Sequence, residues 1–172
     1  MAISQNEFSI YPGQAYEGQI ATLDRPRVNS GIADDTVWFG RAVVRGAAGR
    51  AVKAFTKDSK AADMVGVSVR HAAAMSYDGP NTGNGASAMK SGYFKGQHVS
   101  YLRDGAIRVL CVDGAKAGDT VSIINEDGDN LGRFTHGKGI ELNCVKWRDT
   151  VPAGGMGWIE LSGTLSVSAT PA

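Results

Sequence analysis

The sequence has little cysteine and no long apolar run, and both shortages limit what the protein can be. Its two cysteines, Cys111 and Cys144, stand in predicted strands and not in a CxxC pair, which favours buried, reduced thiols over a disulfide. No apolar run approaches the roughly 18 residues that cross a bilayer. The stretch MAISQNEFSIYPGQ (1–14) has neither a basic flank nor an apolar core, so we expect no signal peptide, no membrane partner and synthesis in the cytoplasm.

Proline is also scarce, whereas glycine is abundant: the 172 residues include 5 prolines and 23 glycines. Glycine usage is thus roughly double the average. Because there is no G-X-Y period, a collagen-like chain is excluded, and many tight turns between short strands are indicated. Hydrophobic residues make up 42% and charged residues 20%, a balance typical of one globular domain.

Short segments with alternating apolar residues predict strands from Trp38 onward. Asp104-Gly105 predicts a hairpin turn between two of them, and Asp127-Gly128 predicts another turn. The best helix candidate is SKAADM (59–64), with Ser59 as its N-cap. We therefore expect an all-β fold, a small antiparallel β-barrel or sandwich. The predicted strands are WFGRAVVR, RAVKAF, MVGVSVR, QHVSYLR, AIRVLCV, DTVSII, LGRF, ELNCVKW and MGWIEL.

The predicted domain organisation has three parts. Residues 1–37 are expected to form an extended N-terminal arm, because Pro and Gly interrupt every helical pattern there. Residues 38–165 are expected to form the barrel, with a long Gly-rich loop at 72–92 where the strand pattern stops. Residues 166–172 are expected to be a C-terminal tail.

Charge is distributed unevenly along the chain. Residues 25–60 hold eight basic and three acidic side chains, an excess of five positive charges; since the net charge is +1, the remainder carries −4. This asymmetry is compatible with charge-matched docking, to a second copy or to another surface. The basic segment 41–53 (RAVVRGAAGRAVK) also suggests a nucleic-acid-binding barrel. However, aromatic residues are not interleaved with its charges as a stacking platform requires, and a charged outer face of two strands is the simpler interpretation.

No catalytic, cofactor-binding or metal-binding residues are expected. GNGASA (83–88) fits G-x-G-x-x-A but lacks the preceding strand and following helix of a dinucleotide site. NEDGDN (125–130) is rich in oxygen ligands but lacks the spacing of an EF-hand, so a solvated turn is favoured. The three histidines stand far apart, and a nucleophilic role for Cys144 has no supporting context.

The order of the motifs resembles that of the capsid decoration, or structural cement, proteins of tailed bacteriophages. The resemblance covers most of the chain, although the loop at 72–92 is longer than the family pattern. The motifs that carry it are PGQAYEGQIATL (12–23), VNSGIA (28–33), FGRAVVRG (39–46), MVGVSVR (64–70), YFKGQHVSYLRDGAIRVLC (93–111), AGDTVSI (117–123) and GWIELS (157–162).

This resemblance implies a non-enzymatic virion protein on the outer surface of the capsid. It implies a β-barrel that binds the assembled shell of major capsid protein from outside and reinforces it. It also implies self-association, with a homotrimer favoured over a dimer. Apolar side chains on an extended arm, with two neighbouring arginines, are the expected partner contacts. These residues are Phe8, Ile10, Tyr11, Ile20, Leu23, Arg25 and Arg27.

Overall fold

The chain folds almost entirely into short β-strands. The structure, a computed structural model, describes residues 16–21, 26–71 and 92–162, without the side chain of Cys144. The strands are β1 (Arg27–Ala33), β2 (Val37–Trp38), β3 (Ala42–Arg45), β4 (Ala51–Ala54), β5 (Met64–Ser68), β6 (Gly92–Tyr93), β7 (His98–Cys111), β8 (Thr120–Ile123), β9 (Phe134–Thr135), β10 (Ile140–Trp147) and β11 (Gly155–Leu161). The expected all-β fold is confirmed.

Helix is almost absent from the described ranges. The predicted helix at 59–64 is a single 3-10 turn, Ala61–Asp63, and its N-cap is Lys60 rather than Ser59. The Ser59 hydroxyl instead accepts a hydrogen bond from the backbone N–H of Thr56. Among all the residues that the structure describes, no helix is long and apolar enough to cross a membrane. The Gly-rich loop, apart from its last residue, and the C-terminal tail lie outside the described residues.

Five strands close into a barrel in the order β1-β4-β3-β5-β7, with β7 pairing back to β1. All neighbours are antiparallel except β1 and β4. The strands β11, β10, β8 and β9 form a second sheet that starts from β7 and returns to it through the pair Cys111–Phe134. The short pair β2–β6 is separate from both. Since β1 lies within residues 1–37, the barrel begins earlier in the chain than the expected arm allows.

The longest strand, β7, corrects the prediction of a hairpin at Asp104-Gly105. The two predicted strands on either side are one continuous strand of 14 residues. Asp104 pairs with Arg27 of β1, and Gly105 pairs with Leu161 of β11. Gly105 has a φ of +114°, a conformation that glycine adopts without steric cost. The dipeptide therefore marks the point where β7 leaves the barrel and enters the second sheet.

Two apolar clusters lie on opposite faces of β3. Val43 belongs to the smaller cluster, with Val52 and Val99, inside the barrel. Ala42 and Val44 belong to the larger cluster, which joins the outer face of the barrel to the second sheet. This arrangement follows from strand alternation, which sends successive side chains to opposite faces. Because both faces are covered, the barrel and the second sheet form one packed body.

The strand β5 shows the effect of burial on both faces. The alternation of Val65, Val67 and Val69 predicts that they share one face, yet Val67 and Val69 belong to the larger cluster and Val65 packs against the smaller one. The cause is a register shift in the pairing of β5 with β3. Ser68 is fully buried. Its hydroxyl lies 2.5 Å from the carbonyl oxygen of Trp38 and receives a hydrogen bond from the N–H of Arg41. A buried hydroxyl costs free energy unless it is paired, and these bonds offset that cost.

Residues 16–21 pack on the outside of this body and form what we call the N-terminal clamp. The Gly18 N–H donates to the Arg108 carbonyl, and the Arg108 N–H donates to the Gln19 carbonyl, at 2.9 and 2.8 Å. Both carboxylate oxygens of Glu17 accept from the guanidinium of Arg133, at 3.1 and 3.2 Å. Ile20 packs against the larger apolar cluster. The clamp therefore attaches the chain to β7 before the barrel begins.

Candidate functional site

The open end of the barrel forms a cavity of about 430 Å³. Every strand of the barrel contributes to its lining, and Val52, Val65 and Tyr101 lie at its floor, where they meet the smaller apolar cluster. Cavities in the mouths of β-barrels are common binding sites. The lining residues are Ser30, Arg45, Gly49, Arg50, Ala51, Val52, Ala62, Met64, Val65, Tyr101 and Arg103. We call this cavity the barrel mouth.

Strand alternation places three arginines at the barrel mouth. Arg45 follows Val43 by two residues in β3, and Arg103 follows Tyr101 by two residues in β7. Arg50 lies in the turn before β4, two residues before the inward-facing Val52. Side chains two positions apart share one face of a strand. At the end of the barrel the inward face meets solvent, and all three arginines are exposed.

The arginines of the barrel mouth have no carboxylate partner among the described residues that line the cavity. None of the lining side chains is a carboxylate, and among the described residues none of Arg45, Arg50 and Arg103 forms an ion pair. A guanidinium binds planar anions through two parallel hydrogen bonds. The barrel mouth is therefore chemically suited to carboxylates or phosphates, with Tyr101 as an aromatic surface beside them.

The remaining basic residues of 41–53 have other surroundings. Arg41 is half-buried and donates to the carbonyl oxygen of Leu131 at 3.0 Å. Burial and then the nearby charge of Arg133 lower the pKa of Arg41, while Glu17 opposes the shift. Arg41 is thus a structural residue beside the N-terminal clamp, and the segment 41–53 does not present one uniform basic face.

The expected partner contacts on the arm are only partly described. Ile20 is half-buried against the chain's own larger cluster, whereas Arg27 is exposed at the start of β1. Phe8, Ile10, Tyr11, Leu23 and Arg25 lie outside the described residues. Two further apolar side chains of β1, Val28 and Ile32, are exposed. Both lie in the expected arm, where their spacing is that of anchors, but they are not among the expected partner contacts, because alternation does not tell which face of a strand is solvated.

Within the described ranges, no group of three His, Cys, Asp or Glu side chains is placed to hold a metal ion. The segment 125–130 is a loop between β8 and β9 with exposed carboxylates, and the predicted turn at Asp127-Gly128 lies within it. His98 is exposed, as the alternation of β7 predicts. Cys111 is fully buried and free, and burial raises the pKa of its thiol.

Comparison with protein families identifies the kind of protein that has this fold. Residues 3–162 match the family described as structural cement protein (E217 gp24/Pam3 gp6). The chain belongs to this family. The resemblance in motif order is thereby confirmed, and the cement protein has a capsid-associated structural role in a phage virion. Membership in a family of structural proteins also suggests that the role is non-enzymatic.

Two solved structures resemble the cement protein. One, from "The capsid of Myoviridae Phage XM1", has 14% sequence identity and a TM-score of 0.63, over 94% of this chain and 98% of that one. The other, the head fiber gp8.5 N base of bacteriophage phi29, has 11% identity and a TM-score of 0.48, over 84% and 99%. At such identities the first likeness concerns the fold alone. No curated protein sequence matches the cement protein.

Proposed function

We propose that this cement protein binds the outside of an assembled phage capsid, contacts the major capsid protein and stabilises the shell. The observation that carries the proposal is the match of residues 3–162 to a family of structural cement proteins. The cement protein is also proposed to associate with itself, as a homotrimer rather than a dimer, so that several copies act together on the lattice.

The packing of the body supports a reinforcing role. A shell stabiliser must resist deformation, and the larger apolar cluster packs the barrel against the second sheet. Close-packed interiors have low compressibility and transmit strain. Attachment at many lattice positions adds avidity, so that each copy needs only a modest interface.

We assign the attachment to the N-terminal residues and the start of β1. The apolar side chains Phe8, Ile10 and Tyr11 precede the N-terminal clamp, and Leu23 and Arg25 follow it. Each large apolar side chain buried on a partner contributes roughly 1.5–3 kcal/mol before ordering costs. Arg27, Val28 and Ile32 extend the same contact along the exposed face of β1.

Sedimentation with purified capsids tests the proposal. Purified cement protein is added to sealed, DNA-filled capsids that lack it, with the protein alone and capsids alone as controls. We expect the protein to pellet with intact capsids and to raise the temperature at which they release DNA. Pelleting only with opened shells would place the protein inside, and no pelleting with either would refute the capsid-binding proposal.

The three arginines of the barrel mouth also favour a second candidate, a nucleic-acid-binding barrel that uses 41–53. Phosphate binding by unpaired arginines is chemically reasonable. However, Tyr101 is the only aromatic residue among the described lining residues, so a stacking platform is lacking. A salt titration separates the candidates, because binding to nucleic acid falls steeply with salt. We expect capsid pelleting to survive nuclease treatment, whereas loss of pelleting after nuclease treatment would favour the second candidate.

A further inference from the structure

The three arginines of the barrel mouth suit an anionic partner, and the same chain carries a group of exposed carboxylates. The loop 125–130, here called the acidic loop, presents exposed carboxylates at Glu126, Asp127 and Asp129. Asp127 has one ion pair, at 3.4 Å to Lys57, and both side chains are more than half exposed. Such exposed pairs contribute little to stability, so the carboxylate is readily available to another cation.

The acidic loop is held in place by its base. The Ile124 N–H donates to the Arg133 carbonyl, and the Gly132 N–H donates to the Ile124 carbonyl, each at 2.9 Å. The side chain of Asn130 accepts from the guanidinium of Arg133 at 2.9 Å. A loop closed in this way loses little conformational freedom when it binds, which lowers the cost of association.

Within one chain, the acidic loop and the barrel mouth lie at opposite ends of the β3–β4 hairpin. Arg45 and Arg50 flank the turn of this hairpin. At the other end of the hairpin, the guanidinium of Arg41 donates to the carbonyl oxygen of Leu131, which directly follows the acidic loop in sequence. Four residue steps along an antiparallel strand, from Arg41 to Arg45, span about 13 Å. The acidic loop therefore does not reach the barrel mouth of its own chain.

We propose that the acidic loop of one copy docks in the barrel mouth of the next. The contact is head-to-tail, and such contacts produce closed rings when the rotation between copies closes and open chains when it does not. The charge asymmetry of the sequence then has a direct use, because the basic part of each chain faces the acidic part of its neighbour. This inference rests on the self-association proposed above and specifies its surface.

Charge reversal tests the contact in solution, without capsids. The mouth variant carries Arg45→Glu and Arg103→Glu, and the loop variant carries Glu126→Arg and Asp127→Arg. All four substitutions are at exposed positions, and circular dichroism with thermal melting verifies folding. By sedimentation equilibrium we expect each variant to self-associate about tenfold or more weakly than the parent chain. The control Lys95→Glu with Lys116→Glu lowers the net charge as much as the mouth variant does, at exposed positions outside both surfaces, and should associate normally.

Two further measurements make the test decisive. The variant that carries all four reversals should recover self-association, because the mouth and the loop are again complementary. Raising NaCl from 0.1 to 1 M should weaken association of the parent chain, since the Debye length falls from about 10 to about 3 Å. The inference is overturned if the parent chain stays monomeric, if either two-substitution variant associates like the parent, or if the four-substitution variant fails to recover.

Capsid pelleting separates this inference from the proposed function. If the mouth variant loses capsid binding but keeps self-association, the occupant of the barrel mouth is an acidic segment of the capsid, and the head-to-tail contact is refuted. The opposite result is that the two-substitution variants lose self-association and the four-substitution variant recovers it, while the parent chain does not pellet with capsids. In that case the head-to-tail contact stands and the capsid-binding proposal fails.

Discussion

Gly18 and Gly40 lie against each other where the N-terminal clamp crosses the body. A Cβ atom built on Gly18 would be 2.8 Å from the backbone nitrogen of Gly40, and one built on Gly40 would meet the side chain of Glu17. Their φ angles are +84° and +68°, a region that other residues rarely adopt. Both the backbone conformation and the available space therefore require glycine.

The first prediction compares two glycine substitutions that share the conformational cost. Gly40→Ala combines a positive φ with a collision, whereas Gly96→Ala has a φ of +85° and nothing within 4 Å. We expect Gly96→Ala to lower the free energy of unfolding by about 1 kcal/mol and Gly40→Ala by roughly 2–3 kcal/mol. Urea denaturation measures both. Equal losses would show that the clamp shifts freely and does not constrain Gly40.

The second prediction concerns the buried thiol. In a Cys144→Ala variant, a thiol reagent should label Cys111 only as fast as the native protein opens, since the side chain is fully buried. Labelling within seconds under native conditions would contradict this. Labelling of the urea-unfolded variant gives the rate for a fully accessible thiol.

Because the pKa of Cys111 is raised in the folded protein, the free energy of unfolding depends on pH in a definite direction. Burial favours the neutral thiol in the folded protein, whereas the unfolded thiol ionises near its ordinary pKa of about 8.5. This contribution to stability is therefore fully present below that pH and falls as pH rises above it. Urea denaturation at pH 7.5 and 9.5 measures the fall in the free energy of unfolding. In a Cys111→Ala variant, the part of the fall that is due to this thiol should be missing.

At the scale of elements, β7 shows which features of the fold can be read from sequence. Its apolar alternation on each side of Asp104-Gly105 correctly predicts strand. The hairpin prediction is wrong because Asp-Gly reports only that a positive φ is tolerated, and a strand that changes partners needs that freedom as much as a turn does. The pairing of Gly105 with Leu161, some 56 positions away in sequence, has no local signal.

The barrel mouth could have been found in part. The alternation Val99, Tyr101, Arg103 places an arginine on an inward face, and an inward arginine is reasonable only where a barrel opens. However, the convergence of Arg45, Arg50 and Arg103 depends on barrel closure between β1 and β7. The interpretation of 41–53 as one outward face fails for the same reason, because neighbouring side chains on β3 and β4 point to different faces.

The third prediction tests the continuity of β7. β7 pairs with β1 and β5 in the barrel and with β11 beyond it, and the N-terminal clamp bonds its backbone at Ala106 and Arg108. Hydrogen exchange should therefore find the amides of 102–108 protected as one group, while those of the exposed acidic loop exchange rapidly. Rapid exchange confined to residues 104–106 would instead indicate the hairpin that the sequence suggests.

At the scale of the whole molecule, the N-terminal clamp separates two roles of the N-terminal residues. Residues 16–21 contribute to the folded body through Glu17, Gly18 and Ile20. Residues 1–15 precede the clamp and include three of the expected capsid contacts. A truncation can therefore remove one role without the other.

The fourth prediction uses two truncations. Deleting 1–15 should leave the urea midpoint unchanged but weaken pelleting with capsids on the order of tenfold, because the expected apolar anchors are lost. Deleting 1–24 should in addition lower the free energy of unfolding by roughly 2–4 kcal/mol, since the paired Glu17 and the packed Ile20 are removed. If the 1–15 deletion binds capsids as well as the full chain, attachment belongs to the barrel.

The passage of β7 through both parts of the body has a mechanical consequence. A tensile load that draws the barrel away from the second sheet is carried along covalent backbone from Asp104 to Gly105, and not across a linker or a packed interface alone. Separation would require shearing several rows of hydrogen bonds at once, the geometry in which strands resist force most strongly. A protein that belongs to a family of capsid cements is thus built around one continuous strand that transmits a pulling force between its two parts.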